Sequence, residues 1–364
     1  MTISLLFAAT VLMQQVPTVV LGRADARSSE GFTSIFAVHE LEDGRVLVTD
    51  NLDNAIRVVD LQAGTVRELG RPGQGPLEYR SAHTILRGTG DTVLVTDNVQ
   101  RRFVKLVNGE IVATAQQPDI LRSLSSYSAP ITDARGRLHF DVRTIEMSAA
   151  GFHERDGVVM RWTPGSTSLD TVAILRVTSH APRANAGYNP FRYRDAWGLA
   201  PDGAIAVVRT EPYRVEWVSV GRLVSGSPIR YDRVRIDDDE RDAERDAFSR
   251  RGRGGLRFRA SPQAQGSRDP QLRQRIPDDV FPPYKPPFTE SRVLVSPAGE
   301  VWIPRAVPWD AEQTIVDVAG RDAILRRHIT MPANTRVVGF GRGAVYVAVT
   351  DEYDLQWLER IEHP

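Results

Sequence analysis

Cysteine is absent from the 364-residue chain. Disulfides, thiolate nucleophiles, cysteine-ligated metals and an acylated cysteine anchor are therefore excluded. Lysine is nearly absent too. Only Lys105 and Lys285 occur, so almost all positive charge is arginine. Acidic and basic residues balance at 46 each, leaving no net charge. Such a chain has no bulk attraction to nucleic acid or to an anionic membrane, and neither is expected as a partner. The seven histidines show no H-x-x-x-H spacing, and neither H-E-x-x-H nor the G-x-S-x-G nucleophile elbow occurs. Beyond the N-terminus no run is long and apolar enough for a transmembrane helix.

What is present begins with an apolar run, Ile3–Met13, of signal-peptide length. Residues 1–15 read as an export signal, which makes the mature protein periplasmic or extracellular; without that signal it stays cytoplasmic. The rest is organised by a repeat. "VLVTDN" occurs at 46–51 and again at 93–98, each copy preceded by a Gly/Asp turn and followed by a second strand-like run. Degenerate copies follow at 134–142, 201–210, 297–305 and 341–350. Short β-branched runs bounded by Gly, Asp or Pro read as strands. Six such copies predict an all-β, six-bladed β-propeller over residues 16–364.

One stretch reads as a helix. In "IDDDERDAERDAFSRR" acids crowd the start and arginines the end, which suits the helix dipole, and Asp237–Arg241 and Asp246–Arg250 are spaced as i,i+4 pairs. It lies in an insertion of about 236–287, between the fourth and fifth copies. The last copy, 335–362, lacks a strand; "VPTVVLG" at 16–22 is expected to complete it and close the ring.

"GRPGQGPLEY" at 70–79 raises the question of a phosphate loop. A Walker loop needs G-K-[ST] entering a helix, and here Gly75 precedes Pro76 and Leu77. With strands on both sides, the segment reads as a crossover between blades. Gly70, Gly73, Gly75, Pro76, Glu78 and Tyr79, together with the VLVTDN copies and Arg57 and Arg102 after them, resemble NHL repeats and related bacterial six-bladed propellers. The resemblance is good over about 30–110 and absent from the insertion. It implies the fold; relatives of this kind include protein- and RNA-binding modules, lyases and lactonase-like enzymes, so it does not choose a function.

Candidate site residues divide into two sets. The resemblance to lactonase-like and lyase propellers implies a channel Ca or Zn site to which Asp50 and Asp97, at their strand ends, and His83 and His139, brought together only by the fold, would contribute; alternatively each Asp simply accepts turn N–H groups. The second set lies in "YNPFRYRDAWGL" and "FPPYKPPFTE", which enter inner strands near the channel mouth. Tyr188, Trp197 and Tyr284 offer flat faces and Arg192 and Arg194 offer cations, with Arg209 and Arg305 added at the ends of the strand copies that follow, a mixture suited to an anionic ligand or a peptide. The alternative reading of Trp197 is inter-blade core. The expectation is an exported, non-enzymatic, monomeric propeller that binds a protein, peptide or small molecule at its channel mouth without a cofactor. The alternative is a metal-dependent lyase or lactonase-like hydrolase on the same scaffold.

Overall fold

A computed structural model describes residues 16–88, 92–124, 127–143, 145–148, 151–178, 191–254 and 278–363. Six four-stranded antiparallel units surround a channel. Blade 1 is Ile35–Glu40, Val46–Asp50, Ala55–Asp60 and Thr65–Leu69, inner strand first. Blade 2 is Ala82–Arg87, Thr92–Asp97, Arg102–Val107 and Glu110–Gln116. Blade 3 is Ile131–Thr132, Leu138–Val142, Gly157–Trp162 and Asp170–Leu175, with a hairpin, Ile145–Ser148 and Gly151–Glu154, between its middle strands. Blade 4 is Ala196–Leu199, Ile205–Arg209, Arg214–Ser219 and Arg222–Ser225. Blade 5 starts with Leu294–Val295, Val301–Pro304, Gln313–Ala319 and Leu325–Pro332; blade 6 starts with Thr335–Gly341, Ala344–Thr350 and Gln356–Glu362.

The VLVTD strand shows why the blades stack. Every residue of Val46–Asp50 is buried. Successive side chains point to opposite faces, and each face meets a different neighbour. Leu47 joins Val93, Val95 and Val104 of blade 2, whereas Val46 and Val48 join Val338, Tyr346 and Ala348 of blade 6. The core is thus a series of apolar layers between blades.

Ring closure departs from the expectation. Val16–Gly22 does not complete the last blade. Its strand, Thr18–Val20, runs parallel to Leu325–Pro332 as a fifth strand on blade 5. The closing strand is Ala24–Arg27, antiparallel to Gln356–Glu362 of blade 6. Chain geometry explains the exchange. Three residues separate the two strands, enough to step from one blade's outer edge to the next. Leu21, in that step, is buried with Ile329 and Ile361 of the two blades.

The glycine-rich loop is a crossover, and its interior is occupied. Arg102 of blade 2 donates to the carbonyls of Gln74, Gly75 and Glu78. A loop whose carbonyls converge on a guanidinium has the wrong polarity for phosphate. Gly70 has φ +66°, and a Cβ there would meet the Leu77 carbonyl at 2.8 Å.

Helix α1 (Asp119–Arg122) is one turn between blades 2 and 3. Helix α2 (Asp238–Gly254) lies in the connection between blades 4 and 5, where the sequence predicts it. Asp237 caps its start by accepting the Glu240 N–H at 3.0 Å. The expected Asp237–Arg241 pair is replaced by Asp238–Arg241, one residue closer on the helix. The Asp246–Arg250 pair falls on side chains outside those described. Among the described residues no helix is long and apolar enough to cross a membrane.

The closing ladder yields a prediction. Deleting residues 1–22 should leave one cooperative unfolding transition, lowered by about 3 kcal/mol through loss of Leu21 burial and the edge-strand bonds. Extending the deletion to Ser28 should open blade 6 and broaden the transition. Equal denaturation curves for the two truncations would contradict closure by Ala24–Arg27.

Candidate ligand-binding site

Each blade turns between its second and third strands on the face where the chain also enters the next inner strand. Buried carboxylates tie these two sets of loops together. Asp50 accepts the N–H groups of Thr33, Ser34 and Asp53 and pairs with Arg57 at 3.2 Å. Burial raises its carboxyl above the ordinary range, opposed by the Asp53 and Thr33 N–H groups and by Arg57. Asp97 accepts from Arg80 and Gln100 in the same manner. Asp141 accepts the Trp197 indole N–H at 2.8 Å and an Arg143 N–H at 2.7 Å. These aspartates organise loops.

On another part of the ring, a cavity of about 740 Å³ lies between blades 5 and 6 and the insertion. Val316, Met331 and Val337 supply apolar lining, and Phe191 supplies an aromatic wall. Among the described residues, five cationic side chains line it, Arg192, Arg194, Lys285, Arg305 and Arg336, against two carboxylates, Glu244 and Glu290. Helix α2 is fastened to this wall by a buried pair. Lys285 Nζ lies 2.6 Å from Glu240 and donates to the Val307 carbonyl, while Glu240 accepts the Trp309 N–H. Arg305 lies 3.4 Å from the buried Asp317 and also lines an adjoining cavity with Arg233, Arg235 and Trp309.

Of the seven ligand-site residues expected from sequence, Arg192, Arg194 and Arg305 meet at this cavity. Tyr188 lies outside the described residues. Trp197 is 0% exposed, and its face is covered by Arg292 at 5.0 Å, so it is core. Arg209 is held by Asp195 and Glu216, at 2.6 and 2.7 Å, and closes a buried ion network inside blade 4. Tyr284 stacks with Arg233 at 4.2 Å beside the cavity. The four residues of the metal alternative are separately engaged. Asp50 and Asp97 cap turns, His139 contacts Asp133 at 3.1 Å, and His83 stacks on Phe36. Among the described residues no group of three or more His, Asp or Glu could hold a metal ion.

Sequence reasoning missed Arg336. It is the second residue of an inner strand, the position that Phe36 and His83 hold in blades 1 and 2. Aligning the inner strands by register would have found it. Arg336 donates to the Ile35 carbonyl at 2.8 Å, and burial lowers its guanidinium below the ordinary range, with Glu290 opposing.

No protein-family model matches the chain, and no curated protein does. Solved structures of similar architecture do. A Bacteroides fragilis protein described as exported is 12% identical, with 96% of this chain and 95% of that one covered and a TM-score of 0.49. Virginiamycin B lyase from Staphylococcus aureus is 10% identical, covering 92% and 97%, with a TM-score of 0.46. A gluconolactonase from Xanthomonas campestris is 10% identical, covering 96% and 99%, with a TM-score of 0.46. Likeness at this level carries no argument about function.

His83 supplies a pH prediction. Burial, and secondarily the Arg292 charge, push its imidazole from 6.5 down to about 4. An unfolded chain takes up this proton below about 6.5, whereas the folded one resists until about 4. The site's stabilisation is therefore complete above pH 6.5 and lost as pH falls to 4. NMR titration should place the His83 midpoint near 4. His83→Gln should lose about 2 kcal/mol less stability than wild type over that interval, allowing for partial solvent screening. A His83 midpoint of about 6.5, its ordinary value, would contradict this environment.

Proposed function

We propose that the chain is a non-enzymatic six-bladed propeller that binds an anionic ligand at the mouth of its channel. The observation that supports this is the cationic lining of the cavity, where Arg192, Arg194 and Arg336 stand beside Lys285 and Arg305, whose charges are met by Glu240 and Asp317. Arginine suits the role because its planar fork donates paired hydrogen bonds to carboxylate or phosphate oxygens. The apolar lining from Val316 and Met331 would exclude water and strengthen those bonds. Export through residues 1–15 accompanies the reading as a proposal from sequence. A metal-dependent reaction finds less support, because Asp50, Asp97, His83 and His139 are each engaged elsewhere.

The test is calorimetric titration with citrate, succinate and sulfate at low and high salt. Binding should weaken as salt rises. Arg192→Gln and Arg194→Gln should each weaken it about tenfold, the effect of losing one charge-assisted hydrogen bond. Absence of heat with every anion, or binding indifferent to both substitutions, would overturn the proposal.

A further inference from the structure

The channel beside the cationic cavity presents an aromatic surface that the anion reading leaves unexplained. The inner strands of blades 6, 1 and 2 are consecutive around the ring. Their second residues are Arg336, Phe36 and His83, and each follows a buried first residue, Thr335, Ile35 or Ala82. These three side chains therefore face the channel from equivalent positions. Phe36 and His83 are further set apart by irregular pairing. Ile35 pairs with Asp50 and Ala37 with Thr49, so Phe36 is an extra residue in its strand. Ala82 pairs with Asp97 and Ile85 with Val95, which leaves one extra residue across His83–Thr84. Bulges of this kind re-aim side chains and recur beside binding sites.

The two rings stack with centroids 3.8 Å apart and planes tilted by 43°. Phe36 nevertheless remains 39% exposed, although its strand lies at the centre of the molecule. An apolar ring left wet inside a channel is a surface that gains by being covered. Guanidinium groups flank it on both sides. Arg336 bonds the Ile35 carbonyl next to Phe36. Arg292 reaches from blade 5 to Ser128 and Ala129 at the entry to blade 3, spanning the blade 4 position, and its charge acts on His83. Arg336 also lines the cationic cavity, so the aromatic surface and the anion site share a wall.

We propose that the ligand is an aromatic carboxylate, with its ring laid on Phe36 beside His83 and its carboxylate held by Arg336 and Arg194 at the cavity. This rests on the anion-binding reading and narrows it. A flat ring covers the exposed Phe36 face, and the neighbouring guanidinium groups favour a ligand with a negative end over a neutral arene. Aliphatic anions would use only the cationic half of the site.

The test compares 2-naphthoate, benzoate and acetate by calorimetry, with 2-naphthalenemethanol as the uncharged control. Wild-type protein should bind 2-naphthoate at least about tenfold tighter than acetate, the scale of one added aromatic contact. The alcohol should bind more weakly than the acid. Phe36→Ala should remove the naphthoate preference while leaving citrate affinity unchanged, and Phe36→Tyr should retain it. Preserved citrate binding also certifies that Phe36→Ala is folded. If citrate binds but naphthoate shows no preference, or Phe36→Ala keeps that preference, the aromatic assignment fails and anion binding stands. If neither citrate nor naphthoate binds, both readings fall.

Discussion

The structure depends on a short antiparallel ladder between Ala24–Arg27 and Gln356–Glu362, which joins the two ends of the chain into one ring. Three strands of blade 6 come from the C-terminal end and one from the N-terminal end. Without that fourth strand the Gln356–Glu362 strand would be left unpaired along its outer side, a longer and more apolar edge than Ala24–Arg27 presents. With it, blade 6 is held against blade 1, and Val338, Tyr346 and Ala348 pack on Val46 and Val48. Closure also fixes which inner strands are neighbours. Arg336 and Phe36 are about 300 residues apart in sequence, yet the Arg336 guanidinium bonds the Ile35 carbonyl. The cationic cavity and the aromatic channel surface share a wall only because the ring is shut.

Electrostatics at the mouth follow from how the blades spend their carboxylates. Asp50, Asp97 and Asp141 are buried beneath the loops, where backbone N–H groups, an indole or an arginine hold them. Asp195 and Glu216 are committed to Arg209. Negative charge is thereby consumed inside the scaffold, while Arg192, Arg194 and Arg336 line the cavity and Arg305 lines it with Asp317 behind it. Zero net charge for the whole chain is compatible with a locally positive mouth, since a cleft's field reflects the charges that line it.

Much of the architecture was legible in sequence because it repeats. The VLVTD strands alternate side chains into two inter-blade cores, and that demand leaves a β-branched signature in each copy. The closing strand was harder. "ADAR" is four residues long with alanine as its only apolar type, since it is an outer edge with three of its four residues exposed. "VPTVVLG" does read as a strand, but apolarity alone does not say which blade it joins. The site was legible in part for a related reason. Arg192 and Arg194 stood out by composition, but so did Arg209, which differs only in meeting Asp195 and Glu216 across the fold. Arg336 and Phe36 sit in ordinary-looking strands, and only their register in a closed ring gives them a shared address.

A crystal structure of the protein saturated with 2-naphthoate would test the central claim most directly. Density is expected for the carboxylate within about 3 Å of the Arg336 and Arg194 guanidinium groups, and for the naphthalene on the exposed Phe36 ring. Density only on the outer strands or the opposite end of the channel, with the mouth unoccupied at saturation, would contradict it.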